Sequence, residues 1–426
     1  MLLLWILAGV GVVSLLAVTL NLFGSWGRRP TVYRVTDVPP VESADFLLSV
    51  AGAAGAPVRS GGTATLLNNG VQIFPAILEA IREARHSVNF AAYIWEDGRA
   101  SDDLFAALTE RARAGVQVRV LLDGVGGLRA PEEGMEALRA AGGHIEPFRP
   151  PRFGKLTRFH KRNHRRALVM DGEVAFTGGV AVADKWLGDA DHPDHWRDTM
   201  SRFTGPAAST IQTAFVSLWA PVAGELLSGP EFFPPRDPAT AAGDMLHVGI
   251  ASSPSSDDHP LRLFYLQSIL SARTRLYITT PYFVPDETIR AAAAGRARAG
   301  VDVRILLPNH LTDAKPIRLT SHCYYEELMA AGVRIYEYQP TMMHAKGMVV
   351  DGKWSVVGSA NMDIRSHELN QENVLGVLDS GFAAQMEAAF RADLTRAREI
   401  QPEEWRRRGM WQRLLERAAA LFAEQY

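Results

Sequence analysis

The 426-residue sequence holds one cysteine, Cys323, and a formal net charge of only −2. A single cysteine excludes an internal disulfide framework and fits a reducing compartment. No histidine motif surrounds it, and "SHCYYEELM" reads as the packing face of a tyrosine-rich helix rather than a nucleophile site. A charge balance this close to zero offers no global electrostatic case for a nucleic acid partner. A full dinucleotide-binding glycine pattern is missing too. "DGVGGL" (123–128) follows a strand-like run but lacks G-x-G-x-x-G spacing, so a tight turn is expected there. What is present is an apolar fraction of 47%, in a chain long enough for two domains of ordinary size.

Charge is also missing locally. From Leu2 to Phe23 the run "LLLWILAGVGVVSLLAVTLNLF" carries no ionisable side chain. As a helix it rises about 33 Å, enough to cross a bilayer core. The basic leader and small-x-small cleavage site of a secretory signal do not appear. Arg28, Arg29 and Arg34 follow the run, and the positive-inside bias puts the bulk of the chain on the cytoplasmic side. Residues 1–27 are therefore expected to be a single transmembrane anchor in the cytoplasmic membrane, followed by a linker over 28–65.

The remaining chain says the same thing twice. "RARAGVQVRVLL" (111–122) and "RARAGVDVRILL" (296–307) match at all but the Gln117/Asp302 and Val120/Ile305 positions. Each copy follows an amphipathic helix and apolar strand, and precedes a helix, a glycine stop and a short strand. Strands alternating with helices predict a duplicated α/β unit with helices on both faces of each sheet. The halves are expected at 66–227 and 261–395. Pro- and Gly-rich residues 228–260 would join them, and 396–426 would form a basic amphipathic C-terminal helix.

The duplication pairs two chemical motifs. "HAKGMVVDGKWSVVGSAN" starts at His344, and "NHRRALVMDGEVAFTGGVA" starts one residue before His164. His164, Arg166 and Asp171 match His344, Lys346 and Asp351 in spacing, and Gly178-Gly179 match Gly358-Ser359. A strand period of two puts each histidine and its following cation on one face. Pairing the halves about a pseudo-two-fold would then bring both imidazoles to one cleft. Displacement at a phosphodiester needs a nucleophile, an acid for the leaving alkoxide, and cations or donors for the phosphoryl oxygens. Two histidines supply the first two. Arg166 and Lys346 supply the charge, with Gly178, Gly179, Ser359 and Asn361 as candidate substrate contacts. No third ligand stands at zinc spacing on either strand, so neither a metal nor another cofactor is expected.

Two H-x-[KR]-x-x-x-x-D matches at equivalent places in an internal repeat make the sequence resemble the phospholipase D superfamily. "YIWEDG", "HWRDT", "TPYFVPD", "MMHAKGMVVDG" and "GSANMDIRSHELNQEN" look like bacterial cardiolipin synthases. The resemblance runs from about residue 66 onward. It implies two α/β/α sandwich halves sharing one active site. It also implies phosphatidyl transfer between phosphatidylglycerol molecules through a phosphohistidine, His164 being more often the nucleophile in such proteins. Asp171 and Asp351, members of the catalytic motif, would act structurally rather than as acids. Asp198 and Glu372 would orient the imidazoles. The sequence departs from the family pattern at Arg166, where lysine is usual, and at Ala181, where the second copy has Asn361.

A lipid substrate suits the surroundings. The basic run "RFGKLTRFHKRNHRR" (152–166) fits an anionic lipid surface. Trp411, Leu414, Leu415, Ala418, Leu421 and Phe422 recur at helical spacing after Arg406, Arg407 and Arg408. That pattern serves interfacial contact and core packing equally. Three functions remain open on sequence alone: a phosphatidyltransferase, a phospholipase D-type hydrolase or nuclease, and a membrane-tethered lipid-binding protein.

Overall fold

The structure, a computed structural model, describes residues 33, 35, 37–151, 161–235, 243–253, 259–421 and 423. The expected membrane span, 2–23, lies outside them. Among the described residues no helix is long and apolar enough to cross a membrane.

Strands β1 (Val58–Ser60), β2 (Ala64–Asn68), β3 (Ser87–Ala92), β4 (Gln117–Asp123), β5 (His144–Phe148), β6 (Ala167–Met170), β7 (Val174–Gly178) and β8 (Thr199–Thr204) come first. Then follow β9 (Leu246–Ser252), β10 (Arg275–Thr279), β11 (Phe283–Val284), β12 (Asp302–Pro308), β13 (Arg334–Tyr338), β14 (Gly347–Val350), β15 (Trp354–Gly358), β16 (Met362–Asp363), β17 (Glu372–Leu378) and β18 (Ala397–Glu399). One sheet has the order β2-β8-β7-β6-β3-β4-β5. In the other, β9-β17-β15-β14-β10-β12-β13 repeats that order, with β1 and β18 added at its edges. Parallel pairs β3–β4 and β4–β5 correspond to β10–β12 and β12–β13, and the other neighbours are antiparallel in both sheets. The duplication legible in the sequence is thus a duplicated α/β topology.

The two sheets share a core. Helices Pro206–Ala223 and Ser380–Leu394 lie between them, and Phe203, Phe215, Phe382, Val349 and Leu375 bury their side chains in one cluster drawn from both halves. The rings of Phe203 and Phe382 meet 6.1 Å apart across the junction. Each such side chain contributes roughly 1.5–3 kcal/mol by leaving water, so the halves are held as one body. Separate clusters under the outer helices complete each half.

Both expected linkers carry more structure than composition suggested. Within 28–65, helix Asp45–Ala54 packs Phe46 edge-on against Trp354 at 5.1 Å, and β1 pairs with β9. This early segment therefore completes the second half. Within 228–260, β9 is an interior strand of the second sheet, so that unit starts earlier than 261. The described start of the Pro-rich stretch before it, 228–235, is also docked: Phe232 is buried under Arg119, and the Glu231 carbonyl accepts a bond from Ser87 Oγ. Asp123 closes the turn after β4 by accepting from the backbone N–H groups of Val125 and Gly126.

Candidate active site

The two motif histidines stand just ahead of β6 and β14 rather than within them. Their backbones leave their own sheets and pair across the halves: His164 N–H donates to the Gln371 carbonyl (3.0 Å), and His344 N–H donates to the Arg197 carbonyl (2.7 Å). Gln371 and Arg197 immediately precede Glu372 and Asp198. The cross-half pairing therefore carries each acid to the histidine of the opposite half. His164 Nδ1 lies 2.8 Å from Glu372 Oε1, and His344 Nδ1 lies 2.7 Å from Asp198 Oδ2. All four side chains are buried. A carboxylate on Nδ1 fixes the ring's tautomer and orientation and leaves Nε2 for chemistry.

The cation two residues on bonds back to its histidine's carbonyl in both halves, Arg166 Nη1 at 2.8 Å and Lys346 Nζ at 2.9 Å. Lys346 Nζ also lies 3.3 and 3.4 Å from the two nitrogens of the His344 ring. Burial first, and then the neighbouring cation, pushes His164 down to about 4 and His344 down to about 3. Lys346 contributes to the depression of His164, and Arg166 to that of His344, so each cation's field reaches the other half's imidazole. Burial brings Lys346 itself down to about 7, against the pull of Asp198. Burial alone would raise the Glu372 carboxyl; His164, Ser359 and Arg166 outweigh it and hold it below its ordinary range. Aromatic rings wall the imidazoles. Tyr93 stands edge-on to His164 at 5.1 Å, while Trp186, Trp196 and Tyr282 surround His344 at 5.3, 5.4 and 6.4 Å.

Not every motif residue joins this cluster. Asp171 and Asp351 sit at the far ends of the β6–β7 and β14–β15 hairpins, with φ of 54° and 52°, followed by Gly172 and Gly352 at 64° and 67°. Two successive left-handed residues make the turn that suits a tight hairpin, which is why Asp-Gly occupies it. The Asp171 carboxylate accepts from the backbone N–H groups of Arg85, His86 and Ser87. Asp351 does the same for Arg273, Thr274 and Arg275. Both tie the hairpin to the start of the neighbouring strand, away from the histidines, so neither belongs among the catalytic groups.

The small residues also serve the protein first. The Gly179 N–H donates to the Thr199 carbonyl, and a Cβ there would fall 2.2 Å from Asp198 Oδ1. A Cβ at Gly178 would meet the Thr199 carbonyl oxygen at 2.5 Å. Ser359 gives its N–H to the Asn373 carbonyl and its hydroxyl to Glu372 Oε2. Gly179 and Ser359 therefore serve the two acids, and Gly178 serves the close approach of β8. Asn361 remains: its Oδ1 is buried with no partner among the described residues. Its counterpart Ala181 is packed into the first half's core.

Of the basic run 152–166, residues 152–160 lie outside the described structure. Arg162, Arg165 and Arg166 are buried rather than turned to a lipid surface. Arg165 bridges the halves, donating to the carbonyls of Ala214, Ser252 and Glu372 and to Ser217 Oγ and Gln371 Oε1. Asn373 reaches back, with Nδ2 donating to the Arg166 carbonyl and Thr177 Oγ1. Tyr93, Arg165, Tyr282 and Asn373 lie inside the quoted motif runs but received no role from sequence, and Trp186 lies outside every one of them. The repeat itself carried one signal for them, since Tyr93 and Tyr282 both follow the strand after the first helix of their half.

Comparison with known proteins agrees with this construction. The family model described as "Cardiolipin synthase, PLD-like domain" matches residues 77–215 and 265–394, one match per half. Cardiolipin synthase A of Pseudomonas fluorescens is 37% identical over 369 residues, covering 86% of this chain and 76% of its own. Cardiolipin synthase 2 of Bacillus cereus is 34% identical over 378 residues, covering 87% and 72%. Among solved structures, phosphatidylserine synthase of Haemophilus influenzae superposes with a TM-score of 0.68 over 90% of this chain and all of its own. At 15% identity that likeness shows the fold. A chain matched in both halves, and over most of its length by such relatives, belongs to the cardiolipin synthase family of PLD-like proteins.

Proposed function

We propose that this enzyme condenses two phosphatidylglycerol molecules into cardiolipin and glycerol by phosphatidyl transfer. One imidazole Nε2 attacks phosphorus, and the P–O bond to the headgroup glycerol breaks. The second imidazole gives its proton to the departing alkoxide, leaving a phosphatidyl-histidine. A hydroxyl of the second phosphatidylglycerol then attacks the same phosphorus, the P–N bond breaks, and the now neutral second imidazole takes the hydroxyl proton. We assign the covalent role to His164, following the family resemblance, and the proton-transfer role to His344.

One observation carries this reading: two imidazoles, each held through Nδ1 by a buried carboxylate of the opposite half, sit within reach of both halves' cations. Burial, reinforced by that field, keeps the nucleophile neutral in the free enzyme. The phosphodiester's negative charge then favours protonation of the acid once substrate is bound. Arg166 and Lys346 offset charge on the phosphoryl oxygens, and Asn361 adds a polar group at the second-half side. A membrane anchor at residues 2–23, with the catalytic halves on the cytoplasmic side, would place this site beside its substrate.

Mass spectrometry of the products made by purified full-length protein from phosphatidylglycerol tests the proposal. Cardiolipin and free glycerol in equal amounts are expected. Phosphatidic acid as the main product would make the enzyme a hydrolase.

A further inference from the structure

We infer that helix Met410–Ala420 is an interfacial element that lays its apolar face into an anionic lipid leaflet. Its orientation is the first ground. Met410, Trp411, Leu414, Leu415 and Leu421 are 82, 75, 55, 59 and 61% exposed. The side it turns to the protein carries Glu416, which is only 2% exposed. The helix packs along helix Lys315–Ala330, and Glu416 Oε1 meets His322 Nδ1 at 3.1 Å and Arg408 Nη1 at 2.9 Å. Gln412 Nε2 donates to the same oxygen. Arg408 in turn lies over the Trp405 ring at 3.5 Å. A buried ion network thus locks the polar side inward and forces the apolar side out. An exposed apolar stripe of this kind marks a surface that something covers.

Charge chooses the occupant. Arg406, Arg407 and Arg417 are exposed around the stripe. Of the acids nearby, Glu416 is buried and Glu404 pairs with Arg398; Glu403 and Glu326 stay exposed, so the exposed arginines outnumber these exposed carboxylates around the stripe. Tryptophan and leucine on one side, rimmed by arginine, is the composition that sits at the boundary between acyl chains and anionic headgroups. Position is the third ground. The segment leading into helix Lys315–Ala330 holds Asp313, whose carboxylate accepts from the Tyr282 hydroxyl at 2.9 Å, and Tyr282 faces His344. His322 lies about 10 Å of helical rise beyond Lys315. The docking face therefore rides on the helix that flanks the active site. The choice of lipid over a protein partner rests on the phosphatidyl-transfer reading.

The test uses the full-length chain with Cys323→Ser, so that a single new cysteine carries an environment-sensitive fluorophore. Leu415→Cys reports the stripe, and Glu133→Cys reports an exposed helix of the first half. With vesicles of phosphatidylglycerol and phosphatidylcholine, the label at 415 is expected to shift to the blue and be quenched by spin-labelled acyl chains. The label at 133 should stay in water. The triple variant Trp411→Ser, Leu414→Ser, Leu415→Ser should lose at least about tenfold in rate on vesicles while keeping its rate on soluble short-chain phosphatidylglycerol. A label at 415 that stays aqueous with every vesicle overturns the inference. So does a shift that follows protein concentration without lipid, which assigns the face to a second copy. Failure of the wild type to make cardiolipin, with the 415 label still inserting, overturns the transfer reading alone.

Discussion

The two halves share one strand order but hold their acids differently. In the second half a serine hydroxyl, Ser359, donates to the long carboxylate, Glu372. In the first half the acid is the shorter Asp198, packed against Gly179. There Trp186 Nε1 (2.8 Å) and the Thr199 N–H (2.8 Å) do what the serine does opposite. Glutamate with serine and aspartate with glycine are two solutions to one requirement, a carboxylate fixed under the other half's imidazole. The lesson is that the duplicated backbone sets where the acid must be, while side-chain length and the donor supplied to it have drifted as a set. A second asymmetry points the same way: Asn361 keeps a buried oxygen with no partner among the described residues, whereas Ala181 is core.

Changes that ignore the division of labour should cost most. His164→Ala and His344→Ala are each expected to remove nearly all turnover in a cardiolipin-formation assay. The double variant should be little worse than either single one, because residues acting as a unit are not additive. Substantial activity in either single variant would show that the halves do not share a site.

The comparison between the acids is sharpened by two matched substitutions. Gly179→Ala puts a Cβ against Asp198 Oδ1 and should lower kcat by about a hundredfold. Ser359→Ala removes one donor and should cost about tenfold, since supporting hydrogen bonds of this kind carry 10–100-fold effects. If both glycine and serine variants lose the same factor, the halves are not specialised as described.

A smaller effect concerns stability against pH. His164 and His344 are depressed in the folded protein to about 4 and about 3, from 6.5 in the unfolded chain. The unfolded state therefore binds protons first, so stability holds above roughly pH 6.5 and falls as pH drops toward 4, by up to about 1.4 kcal/mol per unit for each group. Thermal unfolding followed between pH 7 and 4 should show a shallower decline in His344→Gln than in the wild type. Equal slopes would mean that the ring is not held neutral by its surroundings. The smallest effect expected is for Arg166→Lys, a change of a fewfold in rate, because charge is kept where the opposite half already uses lysine.

Much of this was legible before the fold was seen, and the limits are physical. The twelve-residue repeat and alternating helices and strands announced a duplicated α/β unit because periodicity is local. Strand β1 was not legible, since three residues acquire strand character only by meeting β9, far along the chain. The motif spacing placed His164 beside Arg166 and His344 beside Lys346. That Gly179 and Ser359 would be consumed by Asp198 and Glu372 depends on the cross-half bridges, which no local pattern encodes. Helical spacing marked the Trp411–Leu421 stripe but not its direction, which Glu416, Arg408 and His322 decide together.

The central claim is that one histidine carries the phosphatidyl group while the other moves protons. Full-length His344→Ala, given a phosphatidyl ester with a good leaving group that needs no acid, should be quenched in denaturant and digested. The peptides should then be weighed under mildly alkaline conditions, where a phosphorus–nitrogen bond survives. The account predicts one phosphatidyl group on His164, absent from His164→Ala. A chain that turns over the activated donor with no adduct on His164 contradicts it.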